Sequence, residues 1–441
     1  MRYHGASTAE IPGPEGDRST ASSMYQSPLN DAHRLVMRRL LEHRREAAEA
    51  ASSVRGDDVD RHVPATLDPD TVPWGVVGDG SEPTCEIILD FGELEAEYAA
   101  LRRASAIFDR PDRAVIEIAG SDAEDLLERL VTNAFVGVAA DVVRAFLLAR
   151  TGRIIADLVL IRREGRVLVE LDRSDAGRVV ETLEGFVFAE DVEILDHAEG
   201  RHRMDLLGPE SPAIIDALCG ETPRGGHAVD LRIDDVAATV FALDSGTGSP
   251  VGEPGFGLIV DRADAMVVWN RILATTPSGR RPVRAIGWNA CNIARLEAGT
   301  PLFHLDFGPD ALPHETGLIE ERVSFKKGCY PGQEIVARME SRGRAKRRVV
   351  GLRSTTDALP VAGAQVFDAK EGVSTQIGVV TGSTVAPMRG AAVIGLASVR
   401  ASHTSVGTPV LMSAEGELVP AVVTGFDFEI PGEGDQGEAP E

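Results

Sequence analysis

Hydrophobic residues recur along this chain with two periods, and the texture changes near residue 347. From Asp31 to about Ser53 the run DAHRLVMRRLLEHRREAAEAASS sets Leu35, Val36, Leu40 and Leu41 among arginines, predicting a helix with a modest apolar face that lies on the surface as an accessory element. Residues 57–83 carry Pro64, Pro69, Pro73 and a glycine-rich stretch from Gly75 to Gly80, and read as a loop. Cys85–Phe91 (CEIILDF) reads as a strand, ELEAEYAALRRA as a helix, and Ala114–Gly120 (AVIEIAG) alternates as a strand does. Ser121 with Glu124 three residues on predicts a capping box opening the helix SDAEDLLERLVT. RAFLLAR, IIADLVLIRR and VLVELDR predict three more strands, followed by a helix after Ser174 and the strand Val192–His197. A second set follows: HRMDLLG, a helix at Ser211–Leu218, strands at Ala238–Leu243 and Phe256–Val260, and a helix at Asp264–Leu273. Ala285–Glu297 reads as one helix stopped by Gly299, and Pro301–Ser324 as irregular chain.

Beyond Arg347 the runs VVGLR, AQVFD, IGVVTG, AAVIGLASVR, TPVLM and VPAVVTGF are short and β-rich, with Gly and Pro between them. That spacing predicts a small all-β barrel or sandwich. Two lobes of mixed sheet with helices on one side, followed by this β unit, make the class α+β. The expected division is an extension at 1–84, partly disordered with one helix; two lobes at roughly 85–200 and 201–346; a β unit at 347–430; and a disordered tail at 431–441.

Composition narrows the function classes. The 441 residues carry 45 Lys and Arg against 69 Asp and Glu, a net charge of −24. A surface that acidic repels polyphosphate, which disfavours a nucleic-acid partner, as does an aromatic content of 5% for base stacking. Lys326, Lys327, Lys346 and Lys370 are the lysines; the other basic residues are arginine, a usage that fits a high-GC genome or salt adaptation. Cys85, Cys219, Cys291 and Cys329 show no C-x-x-C spacing, which excludes a zinc ribbon or a disulfide-stapled module. No apolar run approaches 20 residues and Met1–Asp17 has no apolar core, so a cytoplasmic location without a membrane is expected. Val251–Val260 lacks the closing Gly-Lys-Ser/Thr of a phosphate-binding loop. His304 and His314 read as solvated loop residues, and no metal is expected.

The most informative stretch is Ser324–Arg348, SFKKGCYPGQEIVARMESRGRAKRR. Pro331 ahead of Gln333 and Glu334 predicts a loop turning into a helix. Cys329 therefore sits before a helix start and after two lysines, surroundings that stabilise a thiolate. Gly328 and Gly332 allow tight turns beside it. Two readings stand here: a functional thiol, or a small buried cysteine in a turn. Arg338, Arg342, Arg344, Lys346, Arg347 and Arg348 follow as the densest basic cluster in an acidic chain, pointing to an anionic partner.

KGCYPGQE at Lys327–Glu334, with ARMESRG behind it, is similar to the signature of the YgfZ-type folate-binding proteins, relatives of the glycine-cleavage T-protein (aminomethyltransferase). The resemblance runs from Glu86 to about Phe426, through Glu97–Asn133, Thr151–Arg163, Met204–Ser211, Val251–Phe256 and Ala294–Phe303. It implies a three-lobed ring of two interwoven α+β lobes and a C-terminal β-barrel, with tetrahydrofolate or a one-carbon derivative in the centre. It further implies an accessory role for iron–sulfur cluster assembly or repair, with iron–sulfur client or assembly proteins as partners. Cys329 would be the functional thiol within the signature residues Lys327, Gly328, Tyr330, Gly332, Gln333 and Glu334. Glu253, Arg295 and Arg338 are the expected folate contacts. Two departures from the T-protein bear on the rival reading, a folate-dependent aminomethyltransferase. Gly257 stands where T-proteins have a pterin-holding Glu, and Val169-Glu170-Leu171-Asp172 replaces a strand ending in Val-Asn, with Gly177 and Arg178 where a catalytic Asp is expected.

Overall fold

A computed structural model of the chain describes residues 24–55, 68–75, 84–244, 249–343, 345–370 and 375–430. The expectations for the chain ends fall largely on 1–23 and 431–441, outside the described residues. The extension forms α1 (Asn30–Arg55) and a strand, β1 (Asp70–Trp74), that pairs antiparallel with β2 (Cys85–Asp90). The first lobe continues with α2 (Leu94–Arg103), β3 (Ala106–Asp109), β4 (Arg113–Ala119), α3 (Ala123–Leu130), β5 (Val142–Leu148), β6 (Ile154–Arg163), β7 (Arg166–Asp172), α4 (Ala176–Glu184) and β8 (Glu193–Asp196). The second holds β9 (Arg201–Leu207), α5 (Ser211–Cys219), β10 (Ala228–Ile233), β11 (Val236–Ala242), β12 (Gly255–Asp261), α6 (Ala265–Ala274), β13 (Arg284–Ile286) and α7 (Trp288–Glu297). After α8 (Ile319–Arg322) and α9 (Gln333–Arg342) come β14 (Arg347–Ser354), β15 (Gln365–Asp368), β16 (Gln376–Ala386), β17 (Ala392–Arg400), β18 (Pro409–Ala414) and β19 (Glu417–Thr424).

These strands make a five-stranded sheet, β5-β6-β7-β4-β8, a six-stranded sheet, β10-β11-β12-β9-β3-β13, and a closed barrel, β14-β17-β16-β15-β18-β19. The α+β class and the terminal barrel therefore match expectation. The lobes interleave: β3 belongs by position to the first and by pairing to the second, antiparallel to β9 and parallel to β13. Central strands such as β4 and β7 are buried on both faces, because helices cover one side of each sheet and the sheets face each other on the other. Leu126 and Leu127 of α3 and Val179 of α4 fill the outer layer of the first sheet, while Val268, Trp269 and Ile272 of α6 do so for the second. Phe108, Val115, Leu168, Leu207 and Phe241 meet Ala290 and Ala294 of α7 in the layer between. Among the described residues no helix is long and apolar enough to cross a membrane.

Four local expectations need correction. Ser121 does not cap α3; its hydroxyl donates to Asp191 Oδ2 at 2.9 Å, and the helix begins at Ala123 behind Asp122 with no side-chain cap. The segment 57–83 is not all loop: Pro73 is tolerated inside β1 because that strand has one partner and a free edge. Ala285–Glu297 splits into β13 and α7. The apolar face of α1 is also set differently, since Leu35 is exposed and Ala32 and Met37 are buried.

The extension is anchored by buried polar groups. Ser27 Oγ donates to Asp109 Oδ2 at 2.6 Å, His202 Nε2 lies 2.7 Å from Asp109 Oδ1, and Tyr25 Oη lies 3.1 Å from His202 Nδ1. His33, on α1, stands 3.3 Å from Asp109 Oδ2 without hydrogen-bond geometry and packs edge-on against Phe91 and Trp269. Burial depresses the His33 imidazole, outweighing the pull of Asp109. Burial raises the Asp109 carboxyl, but His202, His33 and Ser27 together bring it below its usual value. A depressed folded-state pKa means that the unfolded extension binds more protons, so docking is strongest above the ordinary His range of about 6.5 and weakens as pH falls through it. Hydrogen exchange should show faster amide exchange in α1 at pH 5.5 than at pH 7.5, after correction for intrinsic rates. His33→Phe should remove most of that difference; an unchanged difference would mean that another group controls docking.

Candidate functional site

Where the two sheets and α7 meet, a cavity of about 120 Å³ is lined by six arginines: Arg110, Arg113, Arg144, Arg203, Arg295 and Arg322. Asp157, Glu170 and Asp205 share its surface, and Leu207, Phe241, Leu243, Val251 and Trp288 supply apolar walls. Each element contributes a residue from the inward side of an apolar strand or helix: Arg144 from β5, Asp157 from β6, Glu170 from β7, Arg203 and Asp205 from β9.

Most of these charges are paired. Arg113 Nε and Nη2 donate to both oxygens of Glu170, at 2.5 and 2.8 Å. Burial alone would raise the Glu170 carboxyl, but Arg113, Arg203 and Arg110 hold it down at about 2, so it is ionised at neutral pH. Arg110 grips Asp112 and reaches Asp205 Oδ2 at 2.7 Å. Arg203 Nη1 stands 2.6 Å from Asp205 Oδ1, with its guanidinium carbon 4.7 Å from the centre of the Phe241 ring. Arg322 Nε donates to Asp157 Oδ1 at 2.8 Å, and Arg295 Nη1 to Asp306 Oδ2 at 2.8 Å. Arg144 differs. It donates from Nη2 to the Leu243 carbonyl at 2.7 Å and has no carboxylate within ion-pair distance among the described residues. Burial, aided by Arg322, lowers its guanidinium to about 10, still protonated at neutral pH. Arg144 Nε and Arg203 Nε have no hydrogen-bond partner. The cavity thus offers unmet donors, ionised acceptors and apolar walls, a combination suited to a flat polar heterocycle.

Of the expected folate contacts, Arg295 lines this cavity, already bonded to Asp306, Asn292 and the Thr300 carbonyl. Glu253 lies 3.3 Å from Arg102, which also holds Glu297 at 2.6 Å, and is outside the lining. Arg338 is exposed on α9, and the basic run beyond it is exposed at Lys346, Arg347 and Arg348. At Gly257 a Cβ would meet Arg203 Nη2 at 2.3 Å and Phe241 Cζ at 2.5 Å, so the guanidinium and the ring fill the space that a side chain there would need. Sequence reasoning missed Arg110, Arg113, Arg144, Arg203 and Arg322. The available signal was an arginine inside an otherwise apolar strand, as in VVRAFLL and HRMDLL, where a buried charge requires a buried partner.

Cys329 is exposed and lies outside the cavity lining, on a loop pinned by its neighbours. Lys327 is expected to lend positive potential to the thiol, but its side chain is 1% exposed and its ammonium donates to the carbonyls of Glu128, Val131 (2.8 Å) and Asn133 (2.9 Å). It neutralises the C-terminus of α3, where backbone carbonyls lack helical partners. Tyr330 and Val336 are buried with Phe146, Leu148 and Ile154. Gly332, at φ +79, packs so closely on the turn between β5 and β6 that a Cβ would meet the Ala149 carbonyl oxygen at 2.7 Å and Gly152 Cα at 2.9 Å. Gln333 Nε2 donates to the Gly328 carbonyl at 3.4 Å, and Gly328 and Glu334 are exposed. Of the two readings of Cys329, the buried turn residue is excluded.

Residues 89–327 match the GCVT N-terminal domain, and residues 347–428 the glycine cleavage T-protein C-terminal barrel domain. The chain is 28% identical over 346 residues to an aminomethyltransferase of Alkaliphilus oremlandii, covering 78% of this chain and 91% of the relative. It is 29% identical over 354 residues to one of Synechococcus sp., covering 78% and 92%. The crystal structure of glycine cleavage system aminomethyltransferase T from Bartonella henselae superposes with a TM-score of 0.69 at 21% identity, covering 82% of this chain and 94% of that one.

Two measurements test the loop. Maleimide should label Cys329 well before the others, because burial pushes the thiols of Cys219 and Cys291 up to about 11 and 12, and that of Cys85 higher still. Peptide mass spectrometry reads the order, and earlier labelling of any other cysteine contradicts it. Lys327→Met should cost about 1–3 kcal/mol in urea unfolding, since three carbonyls lose a charged donor; an unchanged midpoint would show that water replaces the ammonium.

Proposed function

As the chain belongs to the glycine cleavage T-protein family, we propose that it binds tetrahydrofolate in the central cavity and transfers aminomethyl-type one-carbon units on it. The observation that carries this reading is a pair of guanidinium Nε atoms, on the cavity-lining Arg144 and Arg203, that have no hydrogen-bond partner among the described residues. A pterin carbonyl is an acceptor of the kind they lack, and the ring's N–H groups are donors for Glu170, Asp205 and Asp157. The cavity is below the ~300 Å³ typical of pockets that enclose a drug-sized ligand. It suits the ring head, while an adjoining space of about 170 Å³, sharing Arg144, Thr300 and Arg322, would take the aminobenzoyl side.

Bound tetrahydrofolate would supply the amine nitrogens that accept the one-carbon unit. The chain's own residues do the rest. Arg113 and Arg110 keep Glu170 and Asp205 fixed as acceptors, which orients the ring. Asp157, with 20% of its side chain exposed against 5% and 4% for those two, is the carboxylate with most room to hold or pass a proton to a reacting group. Trp288 and Phe241 exclude water from one side.

A second reading is favoured by the anchored, exposed Cys329 within a segment resembling the YgfZ signature. In it the protein binds folate but serves iron–sulfur enzymes through the thiol. Arg203 filling the space over Gly257 also favours this reading, since that is where the resemblance to the T-protein's pterin-holding Glu ends. The two readings place the working residue at different sites, so variants separate them. Calorimetry with 5-formyl-tetrahydrofolate should show saturable binding that Arg144→Met and Arg203→Met each weaken at least tenfold; no heat with the unaltered protein would remove both readings. Asp157→Asn should lower aminomethyl-transfer turnover by about 10²–10⁴ while Cys329→Ser leaves it intact. Loss of support for iron–sulfur enzymes in Cys329→Ser cells, without any transferase turnover by the unaltered protein, would establish the second reading instead.

A further inference from the structure

A second cavity, of about 580 Å³, opens on the other side of Trp288. The extension builds one of its walls: Val72, Pro73, Trp74 and Gly75 line it, and Trp74 stacks edge-to-face on Trp288 at 4.9 Å. Asp172 and His304 also reach its surface. Asp172 ends β7, Asp175 closes the single 3₁₀ turn that follows, and His304 comes from the loop after α7, so three donors from two stretches of chain converge. One ligand atom from each lies within 4.8 Å of the others.

Asp172 is 7% exposed. Its Oδ1 accepts from Ser174 N at 3.0 Å and Ser174 Oγ at 2.6 Å, but Oδ2 has neither a hydrogen bond nor an ion pair among the described residues. That oxygen, on a residue that is itself buried, is open to the cavity without a donor, a position that a cation would fill. Asp175 is held from behind, with Arg178 Nη2 at 2.5 Å from Oδ1, leaving Oδ2 on His304 Nε2 at 2.7 Å. Both carboxylates are thus oriented by outer partners, as the ligands of metal sites commonly are.

We infer that Asp172, Asp175 and His304 form a zinc site whose remaining coordination position opens into the second cavity. Zinc accepts carboxylate oxygens together with an imidazole nitrogen, the borderline donor that favours it over magnesium or calcium, and three protein ligands with a free position are the composition of a site that binds or activates a further molecule. Ligand distances of about 2.0–2.2 Å put the donors roughly 3.5 Å apart, so the 2.7 Å contact between His304 and Asp175 opens as the ion enters. Zinc takes the place of the proton that His304 Nε2 shares with Asp175, and that proton leaves to solvent.

The site does not depend on the folate reading, because it uses none of the groups assigned to the pterin. The test uses the full-length, untagged chain, stripped with chelator and titrated with zinc. One equivalent should bind saturably, and cobalt should substitute with a visible spectrum showing oxygen and nitrogen ligands and no thiolate. Asp172→Asn keeps an acceptor for Ser174, and His304→Gln alters an incompletely buried loop residue; each should weaken zinc binding at least tenfold. Both variants should retain the unaltered protein's thermal midpoint and its response to 5-formyl-tetrahydrofolate, which separates loss of the site from misfolding. Zinc uptake unchanged in both variants, a thiolate band from cobalt on Cys329, or no saturable binding at 100-fold excess would each overturn the assignment.

Discussion

Two ion pairs meet in the layer between the sheets, one of them crossing it, and the rest of the molecule is arranged around them. Arg110 reaches from the β3–β4 connection to Asp205 on β9, and Arg203 on β9 faces Glu170 on β7 at 3.7 Å. Charges enclosed between two sheets are tolerable only when paired with good geometry, and removing one partner from such a pair typically costs about 3–5 kcal/mol. Because Arg203 and Glu170 sit on opposite sheets, their pair ties the two lobes together as well as balancing charge. The cavity is what remains where the pairing is incomplete. Among the described residues Arg144 has no carboxylate partner, and that lack distinguishes a binding surface from an internal salt-bridge network.

The two surfaces with chemical potential lie on different parts of the chain and rest on different physics. The cavity depends on burial, which strengthens each charge interaction and prevents neighbouring groups from relaxing. The Cys329 loop depends on anchoring: an ammonium on the end of α3, a buried tyrosine and a glycine pressed against the β5–β6 turn leave one thiol facing outward. A loop held this firmly presents its thiol without having to order itself on meeting a partner, so a partner's binding energy is not drawn into fixing the backbone.

Much of the fold was legible in the sequence, because long strands and amphipathic helices carry their own period. IIADLVLIRR and VLVELDR are β6 and β7, and the six runs after Arg347 are the six strands of the barrel. What escaped, besides the six-residue β10, were short strands whose length gives no period to read: β3 is the four residues AIFD, β13 is three residues absorbed into the helix that follows, and β1 carries a proline. The signature around Cys329 was legible as a motif, since its glycines and lysines are contiguous. The cavity was not. Its six arginines lie on six different elements or connections, one on each, and only the tertiary pairing reveals that each faces the same point. Lys327 illustrates the converse. Adjacent in sequence to the cysteine, it is directed in space to the end of another lobe's helix.

The position of β3 has a consequence for how the protein is made. All four of its residues are buried, yet its partners are synthesised much later: β9 begins at Arg201 and β13 at Arg284, roughly 90 and 175 residues downstream. At about 5–20 residues per second, β3 emerges from the ribosome some 10–35 s before its outer neighbour exists. During that interval an apolar strand with two unpaired edges is carried on a nascent chain whose own five-stranded sheet is already complete by Asp196. High contact order of this kind slows folding and leaves an adhesive intermediate. The first lobe therefore cannot reach its native form until β13 has been made, and the natural folding unit is the interleaved pair, which makes the nascent half-chain a client for chaperones.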